Sequence, residues 1–353
     1  MSNAGSKSLF KRLPMALVSL VLVAYVIASS DWSAVLAKLQ NIEVFWLVLL
    51  GLSAPALVAA SVWKWARLLR VYGIEVGFGR LFAMYVAGQF YNNLLPTSSG
   101  GDVVRGEMLR RHCGSGHAAY GSIVAERFTG LAVLILIAVL ALIEAPAIWP
   151  HTELVLGVGA GLAFATSVML VVLSRRITRF FDRRLGGIGP ARKALKKVHD
   201  FQDSLWEYRK HPRELWIAIC FSGLFYLLAI AGTVIAAESV GQHPSWWAVS
   251  VCVPLVLIVT LLPISLNGIG LWEVVFATSF EAMGMTRELG LTVALLLRAR
   301  DLGWSVLGFA IVTVGGLASR ASIVEAAHGQ DVSTGPNVPS RQGVATVTAD
   351  ANA

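Results

Sequence analysis

Seven apolar stretches dominate this chain, and each approaches the roughly 20 residues that a helix needs to cross a bilayer. They lie at residues 13–30, 44–63, 118–143, 154–174, 214–237, 247–262 and 288–318. Two further apolar segments, 80–95 and 271–284, are short for a full crossing. Only 14% of the 353 residues are charged, against about 25% in an ordinary soluble domain. The sequence therefore predicts an all-α, polytopic membrane protein.

The distribution of basic residues predicts the orientation of these spans. The loop 175–213 contains twelve Lys and Arg residues against four Asp and Glu, so its net charge of +8 equals that of the whole chain. The loop 64–80 is also basic, whereas the loops 31–43, 144–153 and 238–246 are poor in Lys and Arg. Basic loops stay on the cytoplasmic side. We therefore expect a multi-pass protein of the cytoplasmic membrane with both termini in the cytoplasm and an uncleaved first helix.

Composition divides the chain into a membrane domain, residues 1–320, and a disordered C-terminal tail, residues 321–353. The tail is rich in Gly, Ser, Thr, Pro and Val and has no helical periodicity. Within the basic loop 175–213, apolar residues recur at helical spacing, at Leu195, Val198, Phe201, Leu205 and Tyr208. This pattern predicts an amphipathic helix on anionic lipid. A solvated basic loop is the alternative.

An internal repeat has the pattern LLPxSxxG, at residues 94–101 and again at 261–268. Pro stops a helix and Gly permits a sharp reversal, and such broken backbone occurs at membrane depth only where it lines a protein-enclosed or wet cavity. Breaks at corresponding positions of two halves point to a transport site. The predicted break residues are Pro96, Ser98, Gly100, Gly101, Pro263, Ser265, Asn267, Gly268 and Gly270.

The charge distribution also predicts how the two breaks are oriented. All basic loops fall on one side only if 80–117 enters from the cytoplasm and returns to it, while 247–287 begins and ends outside. The sequence thus predicts two re-entrant helical hairpins of opposite orientation, an inverted repeat. A pair of ordinary surface turns is the alternative.

Ionisable residues close to the repeats are the candidate site, because charges inside spans are costly and usually functional. The guanidinium of Arg makes two parallel hydrogen bonds to phosphate, so we assign the head group of a lipid to Arg105, Arg127, Arg298 and Arg300. The expected charge partners that orient these arginines are Asp102, Glu107, Glu126, Glu273 and Asp301. Purely structural salt bridges are the alternative for each pair.

Helical spacing makes three of these expectations specific. Asp102 and Arg105 are three residues apart and form a local pair. Glu126 and Arg127 are adjacent, so they point to different sides and need separate partners. Arg298 and Asp301 meet on one face, while Arg300 points elsewhere.

Other functional motifs are not found in the sequence. The chain has no G-x-x-x-x-G-K-[ST] motif, and its seven histidines and three cysteines have no metal-binding spacing. We therefore expect no metal, no cofactor, no nucleic-acid partner and no ATP-driven step. Six tryptophans fall close to predicted membrane edges and are expected to be interfacial anchors: Trp63, Trp65, Trp149, Trp206, Trp246 and Trp247.

The motifs together resemble a known family. The runs 90–96, 100–105 and 126–127, and then 262–270 with Glu273, are similar to the lysylphosphatidylglycerol synthase transmembrane-region family, over about residues 10–320. The resemblance implies an integral membrane fold with re-entrant hairpins. For the best-understood members, such as the flippase part of the bacterial multiple peptide resistance factor, it implies translocation of aminoacylated phosphatidylglycerol.

The chain departs from that family in two respects. It has no room for a soluble aminoacyl-transferase domain, so it resembles a stand-alone member in which lipid aminoacylation is not implied. Trp272, which precedes Glu273, stands where many relatives have a basic residue.

These observations favour a flippase or transporter that moves an anionic or amphipathic lipid head group through a midplane cavity. Its partners would be membrane lipids, either anionic phospholipid or glycolipid, with a lipid-synthesis enzyme as a further partner. Two alternatives remain open. The first is a membrane-embedded lipid-modifying transferase, for which Asp102 and Glu107 are the candidate carboxylate pair. The second is a non-transporting membrane accessory protein.

Overall fold

A computed structural model describes residues 3–94, 100–144, 150–185, 189–262 and 264–331. The regular structure of these residues is helical, and the thirteen α-helices follow one another through short connections. They are α1 (Asn3–Ser29), α2 (Trp32–Gln40), α3 (Val44–Arg70), α4 (Phe78–Leu94), α5 (Gly100–Cys113), α6 (Gly116–Glu144), α7 (Thr152–Leu173), α8 (Arg175–Leu185), α9 (Gly189–Tyr208), α10 (Pro212–Glu238), α11 (Trp246–Thr260), α12 (Leu271–Ala282) and α13 (Arg287–Asp331).

Several of these helices are long and apolar enough to cross a membrane. Among the described residues, four helices meet both conditions by themselves: α3, α6, α7 and α10. A fifth span is obtained if α1 from Pro14 onward and α2 are counted together across their 80° bend. The chain is thus a multi-pass, all-helical membrane protein, as expected. The spans predicted at 247–262 and 288–318 coincide with the short α11 and with the charged α13, and they stay predictions.

The helix ends follow from local sequence signals. Asp31 caps α2, because its carboxylate accepts hydrogen bonds from the backbone N–H groups of Ser33 and Ala34. Pro212 occupies the first turn of α10, where its missing N–H group has no intrahelical partner in any case. A left-handed glycine follows α3 and another follows α10, Gly73 and Gly241, both with φ of 67°. These glycines end the two helices at corresponding points.

The order of helices repeats along the chain. Helices α3, α4, α5 and α6 contain 27, 17, 14 and 29 residues, and α10, α11 and α12 contain 27, 15 and 12 before the long α13. In each set, two short helices stand between two long ones, and the LLP motif lies where the first short helix ends. The two long helices that begin the sets, α3 and α10, pack against each other. The repeat seen in eight residues of sequence therefore extends to four helices.

The largest cluster of buried apolar residues lies around the second set of helices, α10 to α13. Helix α11 is apolar on all sides and is buried along nearly its whole length, including Val249, Cys252, Leu255 and Val256. It packs against α6, α7, α10 and α12. A helix that is apolar all round is stable where protein surrounds it, which explains how a 15-residue segment holds its place without the length of a full span.

The short helices fold back on one another in pairs. Helix α5 packs against α4, and α12 packs against α11, where the thiol of Cys252 lies 3.3 Å from the carbonyl oxygen of Ser279. The apolar segments 80–95 and 271–284 thus correspond to α4 and α12, which are both too short for an ordinary span, as predicted.

The basic loop contains two helices rather than one. Helix α9 has the predicted periodicity, but its C-terminal part packs against protein: Tyr208 is buried and its hydroxyl donates a hydrogen bond to the carbonyl oxygen of Leu68. Leu205 packs in the same cluster. Exposed apolar and basic residues instead occur on α8, at Phe180, Phe181 and the neighbouring arginines. The lipid-facing assignment of this end of α9 is therefore wrong.

The chain divides into two compact units, residues 1–309 and 310–353. The first contains α1 to α12 and the start of α13. The second is described as helix as far as Asp331. The predicted boundary at residue 320 falls inside α13, and the division into a membrane domain and a disordered tail stays a prediction. The residues after 331 lie outside the described part of the chain.

Candidate functional site

Arg105 is the centre of a buried charge cluster in the first half. The side chain is only 2% exposed, its Nη1 donates to Glu126 Oε2 at 2.7 Å, and its Nε donates to Asp102 Oδ1 at 3.1 Å. Its guanidinium also lies over the rings of Trp65 and Tyr85, at 5.0 and 4.7 Å. A buried arginine needs such compensation, because desolvation of an unpaired charge is very costly.

The neighbouring acidic residues also have separate partners. Glu126 accepts a second hydrogen bond from the hydroxyl of Tyr85 at 3.1 Å. Arg127 instead turns to Asp102 and donates from Nε and Nη2 at 2.9 and 2.8 Å, a two-pronged contact. The side chain of Arg127 remains 57% exposed. The local pair of Asp102 with Arg105, and the separate partners of Glu126 and Arg127, are as predicted.

Two of the residues around Arg105 were missed from the sequence. Trp65 was expected at a membrane edge, but it is fully buried, and its indole N–H donates to Ser122 Oγ at 2.9 Å. Lys64 is also buried, with its Nζ close to the backbone carbonyl of Glu126 and to the hydroxyl of Ser222. Both lie near the end of an apolar span, where sequence alone predicts interfacial residues.

A close backbone crossing fixes the first hairpin beside this cluster. The N–H of Gly101 donates to Asn92 Oδ1 at 2.7 Å. A Cβ atom on Gly101 would overlap the carbonyl group of Gly88, so α5 can approach α4 this closely only with glycine at this position. Gly100 and Gly101 are the first two residues of α5. The other predicted break residues here, Pro96 and Ser98, lie outside the described residues.

The second break is a tight turn held by a carboxylate. Asn267, Gly268 and Gly270 have positive φ values of 52°, 73° and 80°. The N–H of Gly270 donates to Glu273 Oε2 at 2.9 Å, which caps the start of α12. Helix α1 covers the turn, since the N–H of Leu266 donates to Ser19 Oγ. Ser265 is buried in the same turn, and Pro263 lies outside the described residues.

Arg298 pairs across helices rather than along its own helix. Its Nε lies 2.6 Å from Glu273 Oε1, and its Nη2 lies 3.4 Å from the carbonyl oxygen of Gly268. The predicted meeting of Arg298 with Asp301 is therefore wrong. Asp301 is paired instead with its neighbour Arg300, at 2.8 Å. The reason is that the turn holds the buried carboxylate of Glu273 within reach of the long side chain of Arg298.

Arg300 is held in place on two sides. Its Nη1 donates to Ser53 Oγ at 3.0 Å, and the side chain is 8% exposed, whereas that of Asp301 is 54% exposed. Arg300 also lies close to Gly232 of α10, where a Cβ would lie 2.8 Å from Nη1 and would displace the guanidinium.

Glu107 does not join the cluster. It pairs with Arg110 and Arg111 one turn further along α5, at 2.7 and 2.9 Å, on an exposed surface. Hydrogen bonds from Arg110 and Arg111 lower the pKa of Glu107 to about 2. The predicted role of Glu107 as a charge partner in the site is wrong, and so is its use with Asp102 as a carboxylate pair.

The two halves place equivalent ion pairs with exchanged signs. In the first half the short helix α5 supplies Arg105 and the long helix α6 supplies Glu126. In the second half the short helix α12 supplies Glu273 and the long helix α13 supplies Arg298. Each pair joins the short helix after a break to the long helix that follows it, and so holds the hairpin against that long helix.

Three of the cavities formed by the described residues lie around these pairs. The largest, about 740 Å³, is lined by the second turn together with Glu273, Arg298 and Asp301. A second, about 290 Å³, contains Arg300 and Asp301, and a third, about 150 Å³, contains Lys64, Glu126 and Arg127. A volume of 740 Å³ is in the usual range for a small-molecule site. Arg105 lines none of these three cavities.

The cavities bring the C-terminal end of α4 and the second turn together. Asn93, near the end of α4, lines both larger cavities and donates from Nδ2 to Ser305 Oγ on α13 at 2.9 Å. Trp272 and Asp301 are also shared by these two cavities. The smallest and the largest cavities share Leu261 of the second LLP motif.

The sequence of residues 15–309 matches the family described as the lysylphosphatidylglycerol synthase TM region. The chain belongs to this family. Two similar proteins are named UPF0104 membrane proteins. One, from Methanothermobacter thermautotrophicus, is 22% identical over 294 residues, which is 77% of this chain and 85% of that protein. The other, from Pyrococcus horikoshii, is 23% identical over 261 residues, or 68% and 78% of the two chains. No solved structure matches this member of the lysylphosphatidylglycerol synthase TM-region family.

Proposed function

We propose that this family member is a lipid flippase or transporter, which moves an anionic or amphipathic head group through the connected cavities. The observation that supports it best is the position of Asn93, beside the first break and in the wall of the same 740 Å³ cavity as the second break. Helix breaks at corresponding positions of two halves that line one cavity are typical of transporter binding sites. In this proposal α4–α5 and α11–α12 are re-entrant hairpins that enter from opposite sides.

The geometry divides the predicted arginines into two roles. Arg127 and Arg298 line cavities and are the head-group contacts. Arg105 lines none of the three cavities, and Arg300 lines the 290 Å³ cavity but is only 8% exposed, so in this proposal both are positioning residues that hold Glu126, Asp102 and Asp301 in place. The acyl chains would stay in the bilayer, so the protein need only lower the cost of moving the polar head.

The test is head-group translocation in proteoliposomes. We expect wild-type protein to accelerate the movement of fluorescently labelled phosphatidylglycerol between leaflets, and Arg298→Gln to slow it by about tenfold or more. Loss of one charge-assisted hydrogen bond corresponds to about 1.5–3 kcal/mol. The measurement is the fraction of label protected from a membrane-impermeant reductant over time.

Two further variants make this test specific. Asp301→Asn removes a half-exposed carboxylate from the same cavity, so it should also slow transport, while its amide oxygen can still accept the hydrogen bond from Arg300. Glu107→Gln lies outside the site and should leave transport unchanged. Undiminished transport in correctly folded Arg298→Gln would reject the assigned contact. Turnover of lipid in detergent, without two compartments, would favour a transferase instead.

We also propose that the protein lies in the cytoplasmic membrane with both termini in the cytoplasm, because the basic loops then share that side. Green fluorescent protein fused after residue 353 should fluoresce in intact cells of a bacterial host, since it does not mature after export in unfolded form. A dark fusion that is nevertheless present at normal levels on a gel would place the C-terminus outside.

A further inference from the structure

Lys64 differs from the arginines of the site because it has no carboxylate partner. The residue is 7% exposed, and its Nζ contacts the backbone carbonyl oxygen of Glu126 at 3.2 Å and Ser222 Oγ at 3.3 Å. Among the described residues, no carboxylate oxygen lies within ion-pair distance of this nitrogen. The two oxygens of the Glu126 carboxylate are engaged elsewhere, by Tyr85 and by Arg105.

A count of the charges in the site also leaves Lys64 without a counter-charge. The site residues of the second half are balanced, with Arg298 and Arg300 against Glu273 and Asp301. The cluster around Arg105 contains three cations against two carboxylates, and so carries one positive charge in excess: Lys64, Arg105 and Arg127 against Asp102 and Glu126. An excess buried charge is costly unless a counter-charge binds beside it.

The space for a counter-charge is present beside Lys64. The polar lining of the 150 Å³ cavity includes Lys64, Arg127, Ser222, Tyr85 and Tyr226, together with Glu126, whose carboxylate oxygens are engaged by Tyr85 and Arg105. Its volume equals that of about five water molecules, which is enough for a phosphate group. Gly130 keeps this space open, because a Cβ there would lie 3.6 Å from Lys64 Nζ and 3.8 Å from the Tyr226 hydroxyl.

We propose that this cavity binds an oxyanion of the phosphate class between Lys64 and Arg127. Lys64 supplies the uncompensated charge, and Arg127, already held by Asp102 through Nε and Nη2, lines the same cavity. The assignment of this oxyanion to the phosphate of a lipid head group rests on the proposed function. The site then places the phosphate beside Leu261, where the small cavity adjoins the large one that would receive the rest of the head group.

The experiment measures thermal stability of the full-length protein in detergent, with three added ligands. These are inorganic phosphate at constant ionic strength, short-chain phosphatidylglycerol and, as a lipid without phosphate, short-chain diacylglycerol. We expect a concentration-dependent rise in the unfolding temperature with phosphatidylglycerol and none with diacylglycerol. A rise with inorganic phosphate as well indicates that the free anion also enters, whereas a rise with phosphatidylglycerol alone identifies the lipid as the source.

The variants assign this effect to Lys64. Lys64→Met should weaken the apparent affinity for phosphatidylglycerol by about tenfold or more, the expected effect of losing a charged contact, while Lys64→Arg should retain binding. Gly130→Ala should weaken binding by narrowing the cavity. Gly223→Ala is its matched control, since a Cβ at Gly223 meets nothing within 4 Å.

Three results would overturn the proposal. They are wild-type protein that neither inorganic phosphate nor phosphatidylglycerol stabilises, an unchanged affinity in Lys64→Met, and equal stabilisation by diacylglycerol. These measurements require no transport. Phosphate-dependent binding together with absent translocation would therefore reject the proposed function and leave the anion site standing.

Discussion

Replacement of Arg105 by alanine should lower the stability of the protein by about 3–5 kcal/mol, the usual cost of breaking a buried ion pair. The substitution leaves Glu126 in the core without its cation and removes one of the two arginines that neutralise Asp102. It also opens space between Trp65 and Tyr85, which the guanidinium now covers. The measurement is equilibrium unfolding in mixed detergent micelles, followed by tryptophan fluorescence.

Two comparisons separate the charge effect from a general loss of packing. Arg110→Ala removes an exposed arginine from the same helix and should change stability by less than about 1 kcal/mol. The double variant Arg105→Met with Glu126→Leu removes both charges and should recover much of the loss, because apolar replacements of a buried pair are often neutral. A loss below about 1 kcal/mol in Arg105→Ala would show that the network does not stabilise the fold.

Gly101→Ala is expected to have the second large effect, a loss of about 3 kcal/mol, at the upper end of the range for overpacked sites. The added methyl group would overlap the carbonyl group of Gly88, and backbone atoms cannot rotate away as a side chain can. The hairpin must then open, which weakens the contact of the Gly101 N–H with Asn92. The same unfolding measurement detects this loss.

Gly79→Ala provides the matched control for this prediction. Gly79 also lies in a hairpin helix, but a Cβ there meets nothing within 4 Å. Alanine has the higher helix propensity, so this variant should be as stable as wild type or slightly more stable. If Gly101→Ala behaves like Gly79→Ala, then α4 and α5 do not cross as closely as described.

The membrane helices and the hairpin helices were predictable because apolar length is a strong local signal. The pairing of Asp102 with Arg105 was also predictable, since residues three apart share a helix face. The same helical geometry also predicts that Glu107 lies on a different face of α5 from Asp102. At 100° per residue it lies about 140° around α5 from Asp102, and the structure places it on the exposed surface.

Partners on different helices could not be derived in this way. Arg298 and Asp301 satisfy the spacing rule, yet Arg298 takes Glu273 because the turn at Gly268–Gly270 brings that carboxylate close. The burial of Lys64 and Trp65 depends on how α3 packs against α4, α6 and α10. Such choices are tertiary, and a residue at the end of an apolar span looks the same in sequence whether it faces lipid or another helix.

The pairing of every arginine in the site with a carboxylate has an electrical consequence. A single elementary charge that crosses the whole membrane exchanges about 2.3 kcal/mol with the field for each 100 mV. Arg105 with Glu126, and Arg298 with Glu273, each form a unit without net charge. A conformational cycle that moves these units intact draws no work from the membrane voltage through them, so any voltage dependence would come from charges outside these pairs, such as Lys64.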